Sequence, residues 1–237
     1  MNLFYCEDLE GADAILDPEE SRHCIRVLRF GEGDRLHAVD GKGRLAECII
    51  RDTRPGAVGL EIVSVKEECG KMPYHLHIAI APTKSHQRFE WFLEKATEIG
   101  VSEITPLVCS RSERKKIRSD RARKVLIAAM KQANRTYLPL LRNETGFSEF
   151  LSSADGVDNF IASCFGRDRM SLHPGSFTSC RVGFLVGPEG DFTKEEFQQA
   201  LDCDYRPVSL GTFVLRTETA GIVACSEIRR IFEVERR

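Results

Sequence analysis

The sequence predicts an α/β protein of two domains, a small N-terminal β-barrel followed by a larger domain built on a parallel sheet. Residues 1–70 contain several short apolar strands at close spacing, which is typical of a small barrel. Residues 67–73 are polar and include Gly70 and Pro73, which indicates a domain boundary. After residue 73, apolar strands alternate with helical patterns. This alternation predicts a parallel sheet covered on both faces.

In the N-terminal part, one helix is predicted over residues 18–27. Asp17 can cap this helix, and Pro18 suits the first helical position. Three strands follow, and a glycine-containing turn at residues 40–43 separates the first two. The predicted strands cover residues 35–40, 44–50 and 57–65.

In the C-terminal part, the helices are predicted from their apolar spacing and from their end signals. Gly100 ends a helix whose apolar face begins at Phe89, and Thr193 with Glu196 has the spacing of a capping box. The other two helices cover residues 119–134 and 217–232. The predicted strands cover residues 75–80, 103–108, 159–164, 182–186 and 207–210, and Pro106 weakens the second of them.

Composition excludes several classes of protein. The chain has 237 residues, of which 42% are hydrophobic, and no apolar run approaches the ~18 residues that span a bilayer. Its N-terminus lacks the basic start and apolar core of a signal peptide. The nine cysteines are scattered without any C-x-x-C pair, which favours free thiols over a zinc site or a disulfide framework. We therefore expect a cytoplasmic protein without a metal.

The net charge of −2 is an average over segments of opposite sign. Residues 1–70 carry a net charge of −6 and residues 136–237 carry −4, whereas residues 111–135 carry +8. A basic block confined to 25 residues favours contact with nucleic-acid phosphates. The alternative is a solvated basic helix face. A smaller basic set at residues 22–29 could extend the same groove.

Two glycine-containing segments follow predicted strands and carry the candidate chemistry. Residues 187–193 come directly after the buried strand 182–186, where ligands bind in open parallel sheets. Residues 210–220 follow the last strand, and Thr217 is predicted to cap the last helix. Arg216 stands just before that cap, where the helix dipole does not favour a positive charge. Local conflicts of this kind are typical of functional sites. The alternatives are a simple turn at 187–190 and an Arg216 that only pairs with Glu218 or Glu189.

Other enzyme classes lack their signatures. The chain has no G-x-G-x-x-G, no phosphate-binding loop and no G-x-S-x-G. The six histidines lack metal-ligand spacing, and His75 and His77 are better explained as satisfied structural histidines.

Taken together, these motifs resemble the RsmE family of 16S ribosomal RNA uridine N3-methyltransferases, in the SPOUT superfamily of trefoil-knotted methyltransferases. The likeness covers nearly the whole chain, and its last two segments are specific as a pair, in that order and spacing. The segments that carry it are residues 23–29, 33–34, 40–41, 94–101, 104–106, 185–190 and 210–220. The resemblance implies a PUA-like RNA-binding barrel over residues 1–70 and a SPOUT α/β-knot methyltransferase domain over residues 73–237.

The resemblance also implies a cofactor, S-adenosylmethionine, held chiefly by backbone groups of loops 163–166, 187–190 and 209–220. It further implies a homodimer whose active sites draw residues from both subunits. The cofactor-binding residues carried over are Cys164, Phe165, Gly187, Pro188, Glu189, Gly190, Leu210, Gly211, Leu215, Thr217, Thr219 and Ala220.

For the reaction, the predicted catalytic residues are Arg216 and Glu218. Arg216 is expected to stabilise charge that builds on O2 and O4 of the uracil as N3 loses its proton. Glu218 is expected to orient Arg216 or to accept that proton. The predicted contacts to ribosomal RNA are Arg22, Arg26, Arg29, Arg111, Arg114, Lys116, Gln132 and Arg135.

The chain departs from the family pattern at three places. Asp191 stands where a second glycine is usual, Asn134 replaces a glycine and Phe213 replaces an arginine. Asn tolerates left-handed backbone, so the conformation at Asn134 can be kept. Two alternatives to the predicted function remain open. One is a non-catalytic RNA-binding or ribosome-assembly factor of the same fold, and the other is an RNA methyltransferase with a different target nucleotide.

Overall fold

A computed structural model describes residues 2–153, 158–166 and 168–235 of the chain. The chain divides into two compact units. The first comprises Met1–Lys71 with Ile127–Leu138, and the second comprises Met72–Leu126 with Pro139–Arg237.

The first unit is built on a five-stranded sheet of order β1-β3-β4-β5-β2. β1 pairs with β3 in parallel, and the other neighbours are antiparallel. Asp17 accepts hydrogen bonds from the backbone of Glu19 and Glu20, as its predicted capping role requires, and the helix that follows continues as a π-helical turn over His23–Val27. The elements are β1 (Leu3–Tyr5), β2 (Asp13–Ile15), α1 (Pro18–Arg22), β3 (Arg35–Val39), β4 (Leu45–Asp52) and β5 (Gly59–Lys66).

The second unit is built on a parallel sheet of order β12-β10-β11-β6-β7-β8, with β9 also pairing with β7. The predicted α/β class with a parallel sheet is confirmed. Its strands are β6 (His75–Ile80), β7 (Glu103–Val108), β8 (Leu140–Leu141), β9 (Thr145–Gly146), β10 (Asp158–Ala162), β11 (Arg181–Val186) and β12 (Arg206–Val208). Its helices are α2 (His86–Ile99), α4 (Phe147–Ser153), α5 (Lys194–Asp202) and α6 (Thr217–Arg230), and α3 (Ser119–Gln132) contributes to both units.

Local signals explain where these elements begin and end. Gly100 ends α2 with a φ of 127°, a conformation that costs glycine least. Thr193 and Glu196 form both halves of the predicted capping box, so α5 begins where the sequence indicates. Pro106 lies within β7 opposite Ile80 without ending the strand. Asn134 has a φ of 51°, the left-handed conformation expected from its place in the chain.

The strand order brings three strand ends together. β12, β10 and β11 are neighbours in that order, and all run parallel, so their carboxyl ends share one edge of the sheet. α6 packs closely against α2 and against β6, the next strand after β11 in the sheet, because a Cβ added at Gly221 would lie 2.6 Å from Phe92 of α2 and 2.8 Å from Ile80 of β6. The chain therefore places the start of α6 close to the ends of the central strands.

No helix within the described parts of the chain is both long and apolar enough to cross a membrane.

Candidate active site

An open cleft of about 540 Å³ lies at the shared carboxyl edge of β10, β11 and β12. Its walls are the end of β10, the loop after β11, the loop before α6 and the first turn of α6. This is the edge at which open parallel sheets bind ligands. Most of the predicted cofactor-binding residues line it, namely Cys164, Gly187, Pro188, Glu189, Leu210, Gly211, Leu215, Thr217 and Ala220.

Three residues predicted for the cofactor lie outside the lining of this cleft. The Phe165 ring packs against the Phe197 ring at a centroid distance of 6.1 Å. The Gly190 carbonyl accepts a hydrogen bond of 2.8 Å from Arg111. Thr219 lines a second cleft on the other side of residues 214–216. The structure therefore does not place these three residues in the wall of the first cleft.

Thr217 joins two of the cleft loops. The sequence predicts that it caps α6, and this prediction is wrong, because the cap position is Arg216 and Thr217 is the first helical residue. Its hydroxyl instead donates a 3.0 Å hydrogen bond to the carbonyl of Gly187. The side chain is buried. Thr217 thus fixes the start of α6 to the loop after β11.

Arg216 is exposed at the junction of the two clefts and lines both. The sequence left open a simple ion pair of Arg216 with Glu218 or Glu189. In the structure, those carboxylates interact with residues other than Arg216. Glu189 accepts from the Lys84 N–H at 3.0 Å, and Glu218 lies 3.7 Å from Arg88. No oxygen of a described residue accepts from Arg216, so its guanidinium is free for a ligand.

Glu218 is 6% exposed and lines the second cleft beside Arg88, Trp91 and Arg216. Its Oε2 has no hydrogen-bond partner within the described residues. A buried carboxylate oxygen without a donor is energetically costly, and such atoms occur at sites that await a ligand. Glu218 therefore forms no hydrogen bond with Arg216, and its buried Oε2 is left without a donor among the described residues.

Asp191 also lines the first cleft, although the sequence marked it only as a departure from the family pattern. Its carboxylate accepts from the Cys164 N–H at 2.8 Å and from the Ser163 hydroxyl at 3.1 Å. Partial burial and the nearby Asp191 charge raise the pKa of the Cys164 thiol above its ordinary value. The shift disfavours the reactive thiolate of Cys164.

The first part of the basic block, residues 111–118, is here called the basic loop. Two of its arginines hold it to neighbouring loops. Arg111 donates to the carbonyls of Gly190 and Phe192 at 2.8 and 3.2 Å, and Arg114 donates to the carbonyl of Lys84 at 2.7 Å. These bonds were not expected from the charge pattern, because a charge count does not show which arginines find backbone acceptors.

Arg114 also donates to Nε2 of His86 at 2.8 Å. Partial burial and the charges of Arg114 and Arg118 lower the pKa of His86 below its ordinary value. The imidazole is therefore neutral near pH 7 and can accept at Nε2. The remaining basic side chains of the loop, Lys115, Lys116 and Arg118, are exposed and have no ion pair with a described residue.

The other predicted RNA contacts lie in the first unit. Arg22, Arg26 and Arg29 are exposed along the π-helical turn and its exit, and Arg29 has a left-handed φ of 59°. Gln132 is exposed at the end of α3, and Arg135 is half-buried. The five residues thus share one unit, and Arg111, Arg114 and Lys116 share the other.

His75 and His77 lie on β6 within 3.6 and 3.7 Å of Glu103, and His77 also contacts the Thr105 hydroxyl at 2.8 Å. These contacts agree with structural histidines. The described residues contain no cluster of three or more His, Cys, Asp or Glu side chains that could hold a metal ion.

Comparison with known proteins gives consistent results. Residues 70–229 match the RNA methyltransferase domain family, and residues 16–63 match the RNA methyltransferase PUA domain family. A probable rRNA-methyltransferase from Porphyromonas gingivalis superimposes with a TM-score of 0.89 at 35% identity, over 99% of this chain and 100% of that one.

Two further relatives carry a more specific name. The ribosomal RNA small subunit methyltransferase E from Neisseria gonorrhoeae, solved bound to S-adenosyl methionine, superimposes with a TM-score of 0.88 at 25% identity, over 98% of each chain. The Bacillus subtilis protein of the same name is 29% identical over 89% of this chain and 87% of its own.

Proposed function

Because this chain belongs to the RsmE family of RNA methyltransferases, we propose that it transfers the methyl group of S-adenosylmethionine to N3 of a uridine in small-subunit ribosomal RNA. One observation carries the proposal. A cleft at the carboxyl edge of three parallel strands is bordered by Arg216, whose guanidinium is unpaired among the described residues. An RNA substrate of this kind implies action in the cytoplasm.

The cleft fits the cofactor in size and chemistry. Its volume of about 540 Å³ lies within the ~300–1,000 Å³ of typical cofactor pockets. Its walls combine apolar side chains, such as Val186, Val208 and Leu215, with the backbone of the loops that enclose them. Apolar walls with a few convergent polar groups suit a nucleoside.

The trefoil threading of the chain that the family resemblance implies stays a prediction.

The proposed chemistry depends on residues that border the two clefts. When bound, S-adenosylmethionine supplies an electrophilic methyl group on a sulfonium. Arg216 can donate to the uracil oxygens O2 and O4, on which charge builds as the N3 proton leaves. The carboxylate of Glu218, which lines the second cleft beside Arg216, accepts that proton in this proposal. N3 then takes the methyl group, and the neutral thioether leaves.

RNA binding is assigned to both parts of the chain. Residues 1–70 include the PUA match, and exposed Arg22, Arg26 and Arg29 lie on its helical turn. In residues 73–237 the basic loop presents Lys115, Lys116 and Arg118. Uridine N3 lies on the pairing edge of the base, so the target must be unpaired or turned out of its stack.

We also propose that the protein acts as a homodimer, as the family resemblance implies. Apolar side chains are exposed around the second cleft, with Trp91 at 42% and Val214 at 84% exposure. Exposed apolar groups of this size are typical of interaction surfaces. Light scattering on the purified protein is expected to give twice the chain mass of 26.7 kDa, and a mass of one chain would contradict the dimer.

Isothermal titration separates the enzyme from the non-catalytic alternative. We expect S-adenosylmethionine to bind with one molecule per chain, because the cleft at the carboxyl edge of β10, β11 and β12 is formed by one chain alone. If adding S-adenosylmethionine gives no heat and does not change the melting temperature of the protein, the result would favour an RNA-binding protein that only shares the fold.

Replacing Arg111 with alanine is expected to weaken S-adenosylmethionine binding by about 5–10-fold, because two hydrogen bonds that hold the 190–192 loop are lost. Titration calorimetry measures the change. The matched control is Lys115→Ala, which removes an exposed charge of the same loop without touching the cleft. Equal affinities for the two variants would show that Arg111 does not support the loop.

A further inference from the structure

Asp191 occupies a backbone conformation that glycine adopts more easily than aspartate. It follows Gly190 with a φ of 59°, in the left-handed region that glycine adopts most easily. A non-glycine residue there stores strain, and such strain persists where the surrounding structure compensates for it. The side chain of Asp191 is therefore expected to make interactions that offset the cost.

Those interactions join two walls of the cleft. The Asp191 carboxylate accepts from the Ser163 hydroxyl at 3.1 Å and from the Cys164 N–H at 2.8 Å, both just after β10. Its other oxygen accepts from the Phe192 N–H at 2.8 Å. Ser163 in turn accepts from the Phe165 N–H at 3.0 Å. A single carboxylate thus fixes the loop after β10 to the loop after β11.

The carboxylate also brings a negative charge to the cleft, which Arg169 lines as well while it donates to the carbonyl of Ser163 at 3.1 Å. All three donors to Asp191 are neutral groups, and no described Lys or Arg forms an ion pair with it. Asp191 lines the cleft and is half-buried. A negative charge in a partly desolvated cleft attracts a cation more strongly than it would in water.

We propose that Asp191 is a positioning and specificity residue: it fixes the Ser163–Phe165 loop and makes the cleft prefer the cationic methyl donor over its neutral product. This inference rests on the proposed function, because it takes S-adenosylmethionine as the ligand. The sulfonium carries a positive charge that S-adenosylhomocysteine has lost. A cleft with a fixed carboxylate therefore releases the product more readily than the substrate cofactor.

Two variants separate the charge from the connection between loops. Asp191→Asn keeps a side-chain oxygen and tolerates left-handed backbone, but it removes the charge. Asp191→Gly suits the left-handed backbone and removes both the charge and the side-chain oxygens that connect the loops. We expect Asp191→Asn to weaken S-adenosylmethionine binding about 10-fold and S-adenosylhomocysteine binding less than about 2-fold, measured by titration calorimetry. An unchanged ratio of the two affinities would overturn the charge preference, since a purely structural role would weaken both ligands alike.

A second measurement needs no ligand. Alkylation of Cys164 by iodoacetamide, followed by peptide mass spectrometry, is expected to be at least about 3-fold faster in Asp191→Gly, because the thiol loses the nearby charge and the loop loses its connection. The exposed Cys180 is the internal control. An unchanged Cys164 rate would overturn the role of Asp191 in fixing the loop. If the wild type binds neither ligand, the proposed function and the charge preference both fail, whereas the alkylation rates still decide whether Asp191 fixes the loop.

Discussion

Replacing Arg216 with alanine is expected to lower kcat for methyl transfer by about 10²–10³-fold while leaving the affinity for S-adenosylmethionine within about 3-fold. The reason is its position at the junction of two clefts, with no acceptor among the described residues. A guanidinium placed in this way has no structural bond to lose. Its removal takes away the hydrogen bonds that stabilise charge developing on the uracil. The variant therefore loses stabilisation of the transition state.

The measurement is transfer of labelled methyl to small-subunit ribosomal RNA at saturating cofactor. Arg216→Lys is expected to recover part of the rate, because an ammonium keeps the charge but not the planar pair of donors. Arg54→Ala removes an exposed arginine from the first unit and serves as the control. Wild-type turnover in Arg216→Ala would show that Arg216 does not stabilise the reaction.

The second large effect is expected from Lys116→Glu with Arg118→Glu. These side chains are the exposed part of the basic loop, whereas Arg111 and Arg114 are bonded to backbone carbonyls. We expect RNA affinity at 0.1 M salt to fall by about 30-fold or more, with the slope of log K against log salt reduced by about 2. Filter binding or fluorescence anisotropy across a salt series gives both quantities.

The matched control reverses the same amount of charge elsewhere. Lys66→Glu with Lys194→Glu changes two exposed lysines outside the basic block. If the control weakens RNA binding as much as the basic-loop variant, overall charge governs the affinity and the basic loop has no special role. Cofactor binding is expected to be unchanged in both double variants.

Much of the fold could be predicted because its elements carry strong local signals. The strands 75–80 and 103–108 are buried apolar runs, and the sequence gives their bounds as the structure has them. Gly100 and Thr193 mark helix ends through conformations and bonds that depend on few neighbours. By contrast, β8 and β9 have two residues each, too few to show a period, so no pattern could predict them.

The site could be predicted only in part. Strand ends followed by glycine-containing loops located the cleft, because parallel strands share their carboxyl edge. The partners of individual side chains depend on contacts between residues distant in sequence. Such contacts explain why some site residues have roles other than the predicted ones. Thr217 bonds to Gly187 and does not cap its helix, and Arg111 holds the 190–192 loop. Asp191 is distant in sequence from Ser163 and Cys164, so only the fold shows that it joins them.

The most direct measurement of the proposed activity is mass spectrometry of nucleosides from small-subunit ribosomal RNA after incubation with the protein and S-adenosylmethionine carrying a deuterated methyl group. We expect labelled 3-methyluridine from the wild type and almost none from Arg216→Ala. Label on a different nucleoside, or no label from a protein that binds the cofactor, would contradict methyl transfer to uridine N3 from this cleft.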